Sequence, residues 1–339
     1  MLRRSRYPGR RRVSEVRILV TGITGRIGAN LAAQLIHQGH TVRGLVWGRD
    51  RRTEKLDGLG VELLEGTLTE RADVDAAVSG MEAVYHLGAA FQGGGPFTED
   101  DYFEINLRGT FHVLEACRQE GIAHLLFASS DALYDKYVPG GMAEPITEKL
   151  PRQPRGWYAM SKAAGEQLCE GYGRSFGLPV TILRFAMVLG AGEILDFPQF
   201  YLGHMRQGRP ALEALWEGEE RLVLLQDDAG RPFKKHVADV RDIVHGCLCA
   251  LGKERAFGQI YQLAGPAAFT WDEAIYRLTE LLQIPFVEAR PGGVPTYYEF
   301  DLDKARGDLG FRPEYDVVRM MVDALNHRRG EPTGVLTTL

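Results

Sequence analysis

The feature that most constrains the fold is a glycine-rich turn between a buried strand and a helix. Residues 16–20 form a short apolar run that predicts a buried strand, and the sequence TGITGRIG follows it at residues 21–28. A helix is predicted from about residue 27 to residue 37. In this context Gly22 permits the tight turn, Gly25 lets the backbone approach a pyrophosphate, and Gly28 lets the helix pack on the strand. The turn therefore predicts a dinucleotide site, although a glycine-rich turn that binds no ligand would show the same sequence pattern.

Strands and helices alternate along the rest of the first half of the chain. Further strands are predicted at residues 41–46, 61–64, 83–87, 125–130 and 180–185, with helices at 70–80 and 106–119. This alternation is typical of an α/β fold with a Rossmann-type, doubly wound parallel sheet. We expect a flexible basic extension at 1–15, an NAD(P)-binding Rossmann domain with the catalytic residues at 16–186, and a tail at 331–339. A smaller discontinuous cap would occupy 187–330, with some return to the Rossmann domain near 233–265.

Composition and charge narrow the class of protein. The chain has 339 residues and a formal net charge of −5, which gives no reason to expect nucleic acid as a partner. Its apolar runs are shorter than the ~18 residues that span a membrane, so no membrane association is expected. The four cysteines form no CxxC pair or Cys/His cluster, which predicts no metal site and a cytoplasmic location. The arginines of residues 1–15 could touch an anionic surface, but an inconsequential extension is the preferred reading.

Catalytic chemistry is predicted at Tyr158 and Lys162, which share one face of a helix because they are four residues apart. A phenol titrates near pH ~10, and a neighbouring ammonium together with a nicotinamide cation would favour the phenolate. An ordinary amphipathic helix would show the same spacing. Ser130 and Asp131 end the strand predicted at 125–130, at the edge where parallel sheets place their chemistry.

The residues at the end of the second predicted strand bear on the choice between NAD and NADP. A carboxylate there usually holds the ribose hydroxyls, but this chain has Val46, followed by Trp47, Gly48 and Arg49. A guanidinium suits a 2′-phosphate, so the cofactor is expected to be NAD or NADP, with NADP preferred. Solvated loop arginines explain the same residues equally well.

Several motifs in order resemble the extended short-chain dehydrogenase/reductases, the superfamily of the NAD-dependent epimerases and dehydratases. The resemblance runs from about residue 16 to residue 325. It is carried by the glycine turn, the sequences HLGA at 86–89, FASS at 127–130, YAMSK at 158–162 and KHVADV at 235–240, and by the segments 300–306 and 309–313.

The resemblance implies roles for matching residues. Tyr158 would be the general acid/base, Lys162 would hold the nicotinamide ribose and lower the pKa of Tyr158, and Ser130 would hydrogen-bond the reacting oxygen, with Asp131 as a further catalytic candidate. It also implies a homodimer built on helices near Asn106 and Tyr158. The implied cofactor-binding residues are Gly22, Thr24, Gly25, Arg26, Ile27, Gly28, Arg49, Leu68, Leu87, Gly88, Ala89, Asn106, Tyr158 and Lys162.

Departures from the family pattern bear on the substrate. Met187 stands where an asparagine usually contacts nucleotide-diphosphate sugars, and a thioether donates no hydrogen bond, which argues against such a substrate. The usual arginine-aspartate pair before the HVxD motif is missing, with Arg231 nearby instead. Ala132 replaces the glutamate that dehydratases place beside the position of Asp131, which favours redox chemistry or epimerisation. Thr67 replaces an aspartate that contacts adenine.

These observations predict an NAD(P)-dependent oxidoreductase or epimerase acting on a hydroxyl or carbonyl carbon of a sugar or small polyol. The alternatives are a carbonyl reductase or alcohol dehydrogenase for larger hydrophobic substrates, and a dinucleotide-sensing protein without catalysis. Retention of Ser130, Tyr158 and Lys162 argues against the sensor. The residues expected to contact substrate are Phe91, Ser130, Met187 and Arg231.

Overall fold

A seven-stranded parallel sheet forms the centre of the molecule. The computed structural model describes residues 15–48, 51–91, 95 and 97–338. The strands are β1 (Arg17–Thr21), β2 (Thr41–Val46), β3 (Glu62–Glu65), β4 (Ala83–His86), β5 (His124–Ser130), β6 (Val180–Phe185), β7 (Met187–Leu189), β8 (Leu222–Leu225), β9 (Lys234–Lys235), β10 (Val237–Asp239), β11 (Ile260–Leu263), β12 (Phe269–Thr270) and β13 (Phe286–Ala289). The central sheet has the order β11-β6-β5-β4-β1-β2-β3, and the pairing of all its neighbours is parallel.

Helices connect the strands and cover both faces of the sheet. They are α1 (Arg26–His37), α2 (Arg51–Glu54), α3 (Arg71–Val78), α4 (Glu99–Asp101), α5 (Gly109–Glu120), α6 (Gly156–Phe176), α7 (Leu202–Met205), α8 (Pro210–Glu213), α9 (Val240–Ala250), α10 (Trp271–Leu282), α11 (Asp303–Leu309) and α12 (Val317–Arg328). A π-helical stretch, Tyr102–Arg108, joins α4 to α5. None of the helices in the described part of the chain is long and apolar enough to cross a membrane.

The central sheet divides the core of this region into two hydrophobic clusters. Successive residues of a strand point to opposite faces, so Ile18 and Val20 of β1 pack into one cluster and Leu19 packs into the other. The first cluster includes residues of α1, α9 and α11. The second includes residues of α3, α5 and α6. This two-sided burial explains why β1 is apolar at consecutive positions and does not alternate.

A third cluster lies in the C-terminal half, where three two-stranded sheets form. β8 pairs with β13 and β7 with β10 in parallel, while β9 pairs with β12 in antiparallel orientation. Phe200 and Trp271 are fully buried in this cluster, with their ring centroids 5.6 Å apart. The cap aromatic Phe200 is therefore part of the hydrophobic core.

The predicted fold class is confirmed, and the predicted strands agree with β1 to β6 within one or two residues. The helical stretch predicted at 106–119 begins earlier in the structure, because a π-helical segment at 102–108 precedes the regular α-helix that begins at Gly109. Residues 240–263 supply α9 and β11, and β11 extends the sheet beside β6. Residues 1–14 of the expected extension and Arg49 lie outside the described residues.

Candidate active site

The candidate site lies at the carboxyl edge of the central sheet, where β1, β4 and β5 are neighbours. Their ends bring together the glycine turn after Thr21, the segment after His86, and Ser130. Ligands of open parallel sheets bind at this edge. The three segments are more than 40 residues apart from one another in sequence, and the parallel pairing is what makes them adjacent.

The glycine turn packs so closely against neighbouring backbone that side chains would not fit at Gly22 and Gly28. Gly22 has φ +70°, and a Cβ there would lie 2.7 Å from the Gly88 amide nitrogen. A Cβ on Gly28 would lie 2.3 Å from the carbonyl oxygen of Gly22. Gly25 caps α1 in an extended conformation, and the first N–H groups of a helix have no acceptor within the helix. The turn therefore fits the pyrophosphate of a dinucleotide, which α1 would hold through Arg26, Ile27 and Gly28 N–H groups.

A buried histidine fixes the turn against the end of β4. The Thr21 hydroxyl accepts the Gly88 N–H at 3.0 Å and lies 2.8 Å from His86 Nδ1. His86 Nε2 lies 3.0 Å from the Thr110 hydroxyl, which itself donates to the Asn106 carbonyl. This network assigns the proton of neutral His86 to Nε2. Burial lowers the pKa of His86 to about 3.

Asn106 holds the segment after β4 to helix α6. Its Oδ1 accepts the Ala90 N–H at 2.7 Å, and its Nδ2 donates to the Ala90 carbonyl at 2.8 Å and to the Ser161 hydroxyl at 2.9 Å. Both amide protons are used in these contacts. Asn106 therefore positions the loop beside the cofactor edge through protein contacts.

Ser130 and Tyr158 face each other across the site. Ser130 Oγ accepts the Ala132 N–H at 3.1 Å, and its interaction with the Tyr158 phenol lowers the pKa of that phenol. The preceding residue, Ser129, points the other way and donates to Glu166 at 2.6 Å. Strand alternation thus separates a serine in the site from a serine in the core.

Lys162 lies one helical turn beyond Tyr158 and is buried. Its ammonium donates to the Ala128 carbonyl at 3.0 Å and lies 5.2 Å from the centre of the Phe127 ring. Burial lowers the pKa of Lys162 to about 8. The β5 backbone thus holds this cation at the same sheet edge as Ser130.

The protein surroundings of Tyr158 oppose the expected lowering of its pKa. Burial raises the pKa of Tyr158 to about 12, with the interaction with Ser130 lowering it and the charges of Asp131 and Tyr102 contributing to the rise. The Lys162 ammonium is directed to a backbone carbonyl. Desolvation of the phenolate is the dominant effect here, and the sequence pattern gave no measure of it.

Asp131 forms an ion pair with Lys136, a residue that the sequence pattern did not identify. Lys136 Nζ lies 2.5 Å from the Asp131 carboxylate and 3.1 Å from the Asp131 carbonyl oxygen. Its ammonium also lies 5.0 Å from the centre of the Tyr298 ring. The only available signal was a lysine six residues after the strand end. The carboxylate of Asp131 is therefore held in an ion pair with Lys136.

Three of the expected substrate residues lie outside the Ser130–Tyr158–Lys162 cluster. Phe91 and Met187 are exposed. Arg231 forms an ion pair with Asp227 at 2.9 Å, donates to the Gly140 carbonyl at 2.6 Å and stacks on Tyr297. Arg231 thus already has protein partners that join two loops.

Arg26 also has protein partners. Its guanidinium lies 2.7 Å from the Glu193 carboxylate, which also accepts a hydrogen bond from Thr338 at 2.6 Å. The tail reaches α1 as well, where the Asn30 side chain exchanges hydrogen bonds with the Leu336 backbone. The half-buried residues that complete the predicted cofactor edge are Thr24, Ile27, Leu68, Leu87 and Ala89.

The parallel sheet, the glycine turn and the Ser130–Tyr158–Lys162 cluster define an extended short-chain dehydrogenase/reductase. Within that superfamily, the chain belongs to the NAD dependent epimerase/dehydratase family, whose model matches residues 18–264. It is accordingly an enzyme of the epimerase/dehydratase type.

The chain is similar to three proteins whose names state a bound cofactor or an activity. A short-chain dehydrogenase/reductase superfamily protein from Agrobacterium tumefaciens, solved with bound NAD, is 32% identical, with a TM-score of 0.83 over 93% of this chain and 97% of that one. A UDP-glucose 4-epimerase of Corynebacterium glutamicum is 25% identical over 91% of this chain and 94% of its own length. A 4-hydroxy-2-methyl-3-oxo-4-farnesyl-3,4-dihydroquinoline-1-oxide ketoreductase of Stigmatella aurantiaca is 27% identical over 87% of this chain and 80% of its own length. NAD is the dinucleotide in the Agrobacterium structure, so the preference for NADP finds no support there.

Proposed function

We propose that this enzyme uses NAD to oxidise and reduce a hydroxyl-bearing carbon of a sugar or small polyol, as an epimerase or a dehydrogenase. The observation that carries the proposal is the convergence of Ser130, Tyr158 and Lys162 beside the glycine turn. When bound, a nicotinamide dinucleotide accepts or returns the hydride. Tyr158 would exchange a proton with the substrate oxygen, Ser130 would hydrogen-bond that oxygen, and Lys162 would hold the nicotinamide ribose.

The raised pKa of Tyr158 bears on the direction of its chemistry. A phenol that stays protonated at neutral pH is a ready proton donor to a carbonyl oxygen. As a base it needs positive charge nearby, and both Lys162 and the cation of an oxidised nicotinamide have the required sign. Tyr158 can therefore act as the acid when a carbonyl is reduced and, beside these cations, as the base when a hydroxyl is oxidised, which an epimerase and a dehydrogenase both require.

Polar side chains of the cap and of the segment after β5 support a sugar over a larger hydrophobic ketone. Asp131, Lys136, Lys235 and Gln199 lie near one another beside the site. The ketoreductase relative and the exposed Met187 favour the second candidate, a carbonyl reductase of hydrophobic substrates. The leading substrate class includes both nucleotide-linked and free sugars. The epimerase relative is named for a nucleotide-linked sugar, whereas Met187 argues for a free sugar.

The first experiment is to denature freshly purified protein and identify any nucleotide that it releases. Stoichiometric NAD is expected for an epimerase that recycles its hydride, whereas an empty site that binds NADH on titration indicates a dehydrogenase. Preferential binding of NADPH would refute the choice of NAD. Failure to bind any of these dinucleotides would refute the enzyme proposal.

The Tyr158→Phe variant tests the proton transfer. We expect turnover to fall about 10²- to 10⁴-fold while dinucleotide binding is retained, because only the acid/base group is lost. Tyr172→Phe is the matched control, since Tyr172 lies on the same helix and its hydroxyl contacts Glu115, away from the site. Full turnover by Tyr158→Phe would refute the assignment, and a sensor would show no turnover in the wild type.

The proposal includes a homodimer. Five large apolar side chains are exposed on the helical stretch 99–120 and on α6: Phe103, Phe111, Trp157, Met160 and Phe176. Burial of such a patch against a second copy is the expected reason for its exposure. Light scattering should give twice the monomer mass, and the Phe111→Glu/Met160→Glu variant should halve it, whereas Trp47→Glu should not. A monomeric wild type would contradict this part of the proposal.

The cytoplasm is the proposed location. The four cysteines are free thiols in the described structure, as a reducing compartment would leave them.

A further inference from the structure

We infer that Lys235, on strand β9 of the cap, binds an anionic group carried by the substrate itself. The group would be a carboxylate or a phosphate attached to the same small skeleton as the reacting carbon. This inference rests on the proposed function, because it places the substrate between β9 and the Ser130–Tyr158 pair.

The Lys235 ammonium is buried with little to neutralise it. The residue is 5% exposed, and its Nζ contacts the neutral Gln199 Oε1 at 3.1 Å and the Phe197 ring at 4.9 Å. In the part of the chain that the structure describes, no carboxylate lies within ion-pair distance of Lys235, whereas Lys136 pairs with Asp131 and Lys234 pairs with Glu299. A buried charge without a counter-charge is costly. Burial accordingly lowers the pKa of Lys235 to about 8.

The charges that face Lys235 leave the site one positive charge in excess. The Asp131 carboxylate favours the charged form of Lys235, and the Lys136 ammonium opposes it. Asp131 is already paired with Lys136 at 2.5 Å, so it offers Lys235 only a distant attraction. Two ammonium groups therefore share one carboxylate. A single anionic group on the substrate would balance the cluster.

The position of Asp131 relates this cluster to the reacting carbon. Asp131 directly follows Ser130, and its charge acts on both the Tyr158 phenol and the Lys235 ammonium. The Asp131 carboxylate thus lies between the proposed anion site and the catalytic pair in its electrostatic effect. A substrate that carries its anion and its reacting hydroxyl on one small skeleton, such as a sugar acid or a sugar phosphate, would present both groups to this cluster.

The neighbouring lysine shows that the arrangement is specific to one side of β9. Lys234 forms an ion pair with Glu299 at 3.2 Å and stacks on Tyr297 at 4.6 Å. Alternation along the strand directs the two lysines to opposite sides. Lys234 is thus neutralised where Lys235 is not, and Lys234→Met is a matched control of the same size and charge change.

The test uses NAD-loaded protein and three probes in calorimetric titrations: glucuronate, glucose 6-phosphate and glucose. At least one anionic probe should bind about ten- to hundred-fold more tightly than glucose, as a charge-assisted contact allows. Lys235→Met should abolish this selectivity, Lys235→Arg should retain part of it, and Lys234→Met should retain all of it. The two anionic arms distinguish a carboxylate from a phosphate as the source.

Stability provides a second readout. Lys235→Met should melt at the same temperature as the wild type or higher, because it removes an uncompensated buried charge. A lysine kept for packing alone would make this variant less stable and would leave probe selectivity unchanged.

Three outcomes would overturn the inference: equal binding of glucose and both anions, selectivity that survives in Lys235→Met, or no binding of either anion to protein that binds NAD. In these cases the dinucleotide function stands. Failure to bind NAD at all would instead overturn the proposed function, and the inference with it.

Discussion

Replacing Glu166 by Gln removes the negative charge from a buried network that joins α6 to strands β5 and β6. Both Glu166 oxygens accept from Arg184, at 2.8 and 2.7 Å, in a bidentate pair. Ser129 donates to the same carboxylate at 2.6 Å and Arg152 at 3.0 Å. The side chains of Glu166 and Arg184 are 0% and 3% exposed. The variant therefore leaves a buried guanidinium without its counter-charge.

The size of the effect follows from this burial. Burial by itself would lower the pKa of Arg184, but the hydrogen bonds and charge of Glu166 raise it above its ordinary value. Removing one partner of a buried pair costs about 3–5 kcal/mol. Since a folded protein is stable by about 5–15 kcal/mol, this is a large share of the total.

The assay is urea unfolding followed by tryptophan fluorescence. The matched control is Glu170→Gln, one turn further along α6, where Glu170 is partly exposed and pairs with Arg152 at 3.2 Å and Arg174 at 3.8 Å. We expect the control to lose at most about 1 kcal/mol. The double variant Glu166→Gln/Arg184→Met should lose less than the sum of the two single changes, because the partners share one interaction. Equal losses for Glu166→Gln and Glu170→Gln would refute the reasoning.

Two further predictions concern the glycine turn and acid stability. Gly28→Ala should abolish NAD binding or folding, because its Cβ would lie 2.3 Å from backbone, whereas Gly171→Ala, with nothing within 4 Å, should be tolerated; retention of NAD affinity by Gly28→Ala in a titration would contradict the fit of the turn. Burial lowers the pKa of three histidines to about 3 or 4, so the unfolded state takes up protons below pH ~6.5 while the folded state does not. Stability should therefore fall on acidification from pH ~6.5 to 5, by about 2 kcal/mol for each histidine, and urea midpoints that do not change with pH would contradict this. The three are His86, His124 and His236.

The order of the elements and the cofactor edge could be predicted from the sequence because their determinants are local. The apolar run of β1 and the glycines at 22, 25 and 28 act within about a dozen residues, and the turn has little conformational choice. The shared helix face of Tyr158 and Lys162 could likewise be predicted, because it follows from their four-residue spacing. These features fixed the fold class, and motifs in order pointed to the family.

The partners of charged groups could not be predicted, since they depend on which distant segments meet. Arg184 is paired with Glu166 through packing of α6 on β6. The π-helical turn at 102–108 brings Asn106 onto Ala90 and Ser161. The tail contact of Leu336 with Asn30 joins residues 306 positions apart. No local pattern contains these contacts.

The sequence by itself determined which chemical groups stand at the end of each strand, because strand and helix periodicity are local properties. Only the tertiary structure decided their electrostatics. Burial raises the pKa of Tyr158, an effect that residue spacing does not contain. Lys235 is buried without a paired carboxylate, whereas its neighbour Lys234 forms an ion pair with Glu299. The physical reason is that desolvation and charge pairing are set by the whole surroundings of a group, which the chain defines only after it has folded.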